Sequence, residues 1–117
     1  MRNVQMIRKY GHPKVFEKFE NAANLHEMKN KDYARGGRPF GNMERIAKTL
    51  ALYPGFTVDN PANVGIVFMM KQLDAVLYMR SQKYEGEVEN TSTRMDDITV
   101  YAPMISTMIE EENERKT

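Results

Sequence analysis

Val64-Gly-Ile-Val-Phe-Met-Met-Lys-Gln-Leu-Asp-Ala-Val-Leu-Tyr-Met79 is apolar or glycine at every position except Lys71, Gln72 and Asp74. Just upstream, Asp59 or Asn60 can cap a helix and Pro61 can open it, because proline lacks only an amide that the first turn leaves unpaired anyway. A helix that is apolar on nearly its whole circumference belongs at the centre of its fold or in a subunit interface. The run is interrupted by charge and is too short to cross a bilayer comfortably.

The neighbouring segments read the same way. Gly11–Pro13, Arg35–Pro39, Pro54–Gly55 and Asp59–Pro61 break the chain, and Glu85–Thr93 is a polar gap. Between them, Val15, Phe16, Phe19, Ala22, Ala23 and Met28 recur at helical spacing over about 13–31. Met43, Ile46, Ala47 and Leu50 do so over about 40–53, and Met95, Ile98, Ala102, Ile105 and Ile109 over about 92–112. Pro103 removes an amide and crowds the preceding turn, which predicts a kink in the last helix. Glu110, Glu111, Glu112 and Glu114 predict a charged, fraying end. Gly55–Asp59 is the one short strand candidate and reads as a loop. The expectation is an all-α, four-helix bundle-like single domain over residues 1–117, with flexible ends at 1–12 and 113–117.

Composition narrows the function. Seventeen Lys and Arg balance sixteen Asp and Glu, leaving a net charge of +1. Duplex-DNA binders usually carry a basic excess, so no duplex nucleic-acid partner is expected. The absence of cysteine removes disulfides, thiolate zinc sites and cysteine nucleophiles and suits a reducing cytoplasm. Arg2, Arg8, Lys9 and Lys14 accompany no continuous apolar core, so the start does not read as a secretory leader and no membrane partner is expected. Ten methionines and no tryptophan fit either a methionine-filled helical core or an adaptable binding surface.

Several polar residues sit where the pattern asks for apolar ones. Lys71 and Asp74, three apart on one helical face, read as an ion pair at the core edge or as ligand contacts. Arg94, Asp97, Tyr101, Met104 and Met108 share a face; the first two suit either a solvated first turn or a pocket between helices. Glu17 and Glu20 stand in an E-x-x-E spacing near Glu27 and Asp32, a carboxylate density that suits magnesium but equally a solvated charged face. Arg35-Gly36-Gly37-Arg38-Pro39 combines close backbone approach with two guanidinium groups before a helix start, so it reads as an anion site or as a plain turn. It is not a P-loop. His12 and His26 lack metal-ligand spacing, and no Ser-His-Asp set can be assembled.

Lys29-Asn30-Lys31-Asp32-Tyr33-Ala34 resembles the K-N-x-D-Y-[AG] signature of small, mostly phage-encoded nucleotide-modification-associated families related to the MazG-like all-α NTP pyrophosphohydrolases. Pro39-Phe40-Gly41-Asn42-Met43 is similar to their aromatic-x-N element, and Met70-Lys71 to the lysine step of their central helix. Asp96-Asp97-Ile98-Thr99-Val100-Tyr101-Ala102 is similar to their D-D-I-x-x-Y-A stretch. The matches span about Leu25 to Met108.

The resemblance implies a MazG-like helical fold and a nucleotide site, with magnesium held by acids on different helices. Carried onto this chain, it gives Glu17 and Glu20 or Glu27 as the first acidic set for Mg2+ and Asp97 as the second, with Asp32 and Asp74 as further metal candidates and Lys71, Arg35 and Arg38 on the phosphates. Lys29, Asn30, Tyr33, Asn42, Arg94 and Tyr101 complete the expected ligand set. The chain departs from the E-x-x-D pattern, because Arg94 stands three residues before Asp97. Three functions stay open at this point. They are a magnesium-dependent nucleoside triphosphate pyrophosphohydrolase, non-catalytic sequestration of a nucleotide-derived host-defence signal, and a helical adaptor for a host protein. The setting expected is the cytoplasm, that of the host if the chain is phage-encoded. The apolar 64–79 run further predicts a homo-oligomer.

Overall fold

The computed structural model describes residues 8–116; part of the expected N-terminal tail, and Thr117, lie outside the described residues. Four helices pack together as an all-α, bundle-like fold: α1 (Pro13–Tyr33), α2 (Gly41–Leu50), α3 (Pro61–Gln82) and α4 (Thr91–Arg115). There is no strand among the described residues.

The caps follow local chemistry. His12 Nδ1 accepts from the Lys14 amide, Asn60 Oδ1 from Asn63, and Asn90 Oδ1 from Thr93, so three helix starts have a side-chain acceptor for an otherwise unpaired amide. Of the two candidates at the start of α3, it is Asn60 that caps. Lys83 ends α3 in the left-handed region, at φ 61°. α4 continues through Pro103, and Thr107 Oγ1 donates to the carbonyl of that proline. The helix includes the acidic stretch at its end and runs as far as Arg115.

α3 is the hub. It pairs antiparallel with α4: Gly65 lies against Ile105 and Met108 at one end, and Gln72 bonds Arg94 and Asp97 further along. The C-terminal end of α1 and one face of α2 dock on its other sides. Ala62, Ala75, Val76 and Met79 of α3, with Ile105 of α4 and Ala34, form the buried apolar core. Gly65 sets the spacing of the helix pair, because a Cβ there would stand 2.9 Å from Ile105 Cγ1. Gly65→Leu should therefore push α4 away and lower stability by about 1–3 kcal/mol, read as a fall in the urea midpoint.

The burial expected for α3 is only partly met within one chain. Phe68, Leu73 and Leu77 remain exposed, and so do Val15, Phe19, Leu25 and Met28 on α1. The Cα radius of gyration is 18.8 Å, whereas a compact domain of this length has about 13–14 Å. The molecule is elongated, 62 × 38 × 26 Å.

Candidate functional site

Where the end of α1 meets the middle of α3 and the start of α4, the helices bring polar side chains together in the interior. Arg94 is 2% exposed. Its Nη1 donates to Gln72 Oε1 at 2.9 Å and lies 3.5 Å from Glu89 Oε2, and its guanidinium carbon sits 5.0 Å from the Tyr33 ring centroid. Lys71 Nζ approaches the same ring at 5.7 Å. Gln72 Nε2 donates to Asp97 Oδ2 at 3.1 Å. Tyr33, Lys71, Gln72, Glu89, Arg94 and Asp97 thus form one cluster of two cations, two carboxylates, an amide and an aromatic ring. Lys71 is exposed and opens the cluster to solvent.

Two features of the cluster are costly. Arg94 Nε is buried without a hydrogen-bond partner. The Glu89 carboxyl is held above its ordinary range, first by burial and then by its contact with the Asp97 carboxylate, while Arg94 and Lys71 pull the other way. A carboxyl raised on folding contributes stability that is fully present below its unfolded value of about 4.5 and is lost as pH rises through the folded value. Glu89→Gln should therefore gain stability relative to the parent as pH rises from about 4.5 to 7, measured by paired urea titrations.

Glu89 is positioned by a second device. The loop 83–90 folds around Asp32, which is 1% exposed. Asp32 Oδ1 accepts from the Glu87 amide at 2.6 Å, and Oδ2 accepts from Val88 and Glu89 at 2.8 and 3.1 Å. Tyr84 Oη donates to the Asp32 carbonyl. Gly86 lets the loop close, since a Cβ there would stand 2.9 Å from Asp32 Oδ2. Asp32, expected on Mg2+, has its carboxylate surrounded by backbone donors.

The other candidates divide among separate places. Asp74 does not pair with Lys71. Its carboxylate receives Arg45 Nε and Nη2 at 2.8 and 2.9 Å, with Arg45 stacked on Tyr78 at 4.4 Å. Arg35 stacks on Tyr84 at 4.3 Å and lines a cavity of about 180 Å³ with Lys31, Asp32, Glu85 and Glu87. The 35–39 segment forms the turn between α1 and α2: Arg35 and Gly36 take positive φ, the Gly37 amide donates to the Ala34 carbonyl, and Asn30 Nδ2 donates to the Pro39 carbonyl. A Cβ at Gly37 would stand 2.9 Å from both the Ala34 carbonyl and the Tyr78 hydroxyl, so glycine is required there. Arg38 forms an ion pair with Glu44, and Asn42 accepts from the Met43 amide. Tyr101 lines an apolar groove between α3 and α4. Lys29, Glu17, Glu20 and Glu27 lie exposed on α1.

Tyr33, Lys71, Arg94 and Asp97 are thus brought together, and Gln72 and Glu89 join them unforeseen. Gln72 was visible as a polar break in the α3 run. Glu89 lies in the polar gap, where no periodicity assigns a face.

No protein-family model, curated protein or solved structure matches the chain.

Proposed function

We propose that the chain binds a nucleotide or nucleotide-derived anion at the Tyr33 cluster, with Lys71 on a phosphate. The observation that supports this reading is the cluster itself: an orphaned buried guanidinium nitrogen beside two carboxylates of which one is pushed up in pKa. Apolar side chains would stabilise a helix junction more cheaply, and strained titratable groups next to an exposed cation are characteristic of binding sites. Lys71 supplies a cation open to solvent, and Tyr33 a ring face already used by cations.

Binding without turnover is the reading favoured over hydrolysis. A magnesium-dependent reaction of the resembled kind needs two acidic sets, whereas Asp32 and Asp74 are engaged by backbone amides and by Arg45. Among the described residues, no group of three or more His, Asp or Glu is placed to share a metal ion. Glu89 and Asp97 would be the residues to hold one divalent ion with water completing its shell, in competition with Arg94 for Glu89. That pair is the specific observation that keeps the pyrophosphohydrolase as a second reading. A protein that retains its ligand intact would serve as a sink for a nucleotide signal, such as a host-defence messenger countered by a phage.

Isothermal titration with ribo- and deoxyribonucleoside triphosphates and cyclic nucleotides, with magnesium and with EDTA, tests both readings. The expected result is saturable binding that persists in EDTA, with the ligand recovered intact. Lys71→Ala should weaken it about ten- to more than a hundredfold, the loss of one charge-assisted contact, without changing helicity. Pyrophosphate release that requires magnesium and Asp97 would favour the second reading. Absence of binding across the panel would end both.

A further inference from the structure

The first two thirds of α1 and the groove between α3 and α4 are two apolar surfaces that stay exposed among the described residues. The groove holds about 510 Å³ and is lined by Val58, Val64, Phe68, Met104, Ile105 and Met108, among others. Phe68 is 55% and Met104 53% exposed. On α1, Val15, Phe19, Ala22 and Ala23 share a face at helical spacing, and Phe19 is 67% exposed. α1 touches its own chain at its C-terminal end, through Tyr33 and Ala34.

The surface area indicates how much is missing. The chain exposes 9406 Å², whereas a compact monomer of 13.6 kDa exposes about 6,600 Å². The difference, about 2,800 Å² per chain, is enough to supply the roughly 1,000–2,500 Å² that each copy contributes to an obligate dimer interface. Charge selects the pairing of surfaces. Arg8, Lys9, Lys14 and Lys18 surround the start of α1, and Glu110, Glu111 and Glu112 follow Met108 at the far end of the groove.

We propose that the chain is an obligate homodimer in which each copy lays the Val15–Phe19 face of α1 into the α3/α4 groove of the other. The exchange is reciprocal, so it closes under two-fold symmetry and leaves neither groove open. The basic start of α1 meets the acidic end of the partner's α4, which fixes the direction of the inserted helix.

Sedimentation equilibrium on the full chain at tens of micromolar should give twice 13.6 kDa. Phe19→Glu should raise the dimer dissociation constant at least about a hundredfold, because it places an unpaired carboxylate in an apolar groove. The chain has no native cysteine, so disulfide trapping gives a readout that leaves the fold intact. A Phe19→Cys chain mixed with a differently tagged Met104→Cys chain should form a mixed disulfide on mild oxidation, and neither variant alone should cross-link as efficiently. A monomer at these concentrations would overturn the proposal. So would a dimer indifferent to Phe19→Glu, or a Phe19→Cys/Met104→Cys double variant that closes its disulfide within one chain.

Discussion

Asp32→Ala is expected to lower the stability of the fold by about 3–5 kcal/mol, a fall of roughly 10–20 °C in the thermal midpoint. The magnitude follows from what the carboxylate holds. It is almost fully buried and takes three backbone amides from consecutive residues, Glu87, Val88 and Glu89. Bonds to an ionised acceptor are the stronger kind, and buried amides left without one each cost about 1–3 kcal/mol. Asp32→Asn keeps one acceptor oxygen but turns an NH2 group towards the donors, so it should lose about 2 kcal/mol. A metal-ligand role predicts a different pattern: both variants would fold normally and lose magnesium dependence. Because the same loop carries Glu89, Asp32→Ala should also abolish ligand binding, indirectly. Urea denaturation followed by circular dichroism separates these outcomes.

Arg94→Ala should be comparably severe, about 3–5 kcal/mol at neutral pH. It empties a buried volume and removes the cation that faces Glu89 and, through Gln72, Asp97. Two carboxylates then remain together, with Lys71 still acting on Glu89. The pH dependence identifies the cause. Arg94 is one of the groups that holds the Glu89 pKa down, so its removal pushes that carboxyl further up. The variant should therefore recover part of its stability on acidification from pH 7 to about 5, as the shared site takes up a proton. Glu89→Gln in the Arg94→Ala background should recover part of the loss at pH 7 and flatten that dependence. A loss independent of pH, unaffected by Glu89→Gln, would mean that Arg94 matters only for the volume it fills.

The helices were legible because their signals are local. Asn60-Pro61 announces a helix start, and the apolar period between breakers gives the lengths within a few residues. The tertiary partners were not, because each depends on distant geometry. Asp32 meets amides 55 to 57 residues away, and nothing in an amide's own residue type marks it as a donor. Lys71 and Asp74 have the spacing of an intrahelical pair, yet Asp74 turns to Arg45, whose fork offers two bonds and a stack on Tyr78. The amphipathic pattern of α1 showed that a face needs cover, without saying which molecule provides it. Lys71, Arg94 and Asp97 were readable, since they stood out as polar residues in helical context, whereas Tyr33 came only with the motif resemblance. Glu89, which meets Asp97, was hidden in a loop held by the Asp32 contacts and by two hydrogen bonds from Thr91 to Glu85.

The central claim, that the Tyr33 cluster receives a nucleotide phosphate, is tested most directly by amide chemical-shift mapping in 1H–15N spectra. The protein is titrated with a nucleoside triphosphate selected by calorimetry, with and without magnesium. The account predicts saturable shifts concentrated at Tyr33, Lys71, Gln72, Glu89, Arg94 and Asp97, lost in Lys71→Ala while the remaining spectrum is preserved. Shifts confined to the Arg35–Arg38 turn, or cluster resonances that stay in place at saturating ligand, would contradict it.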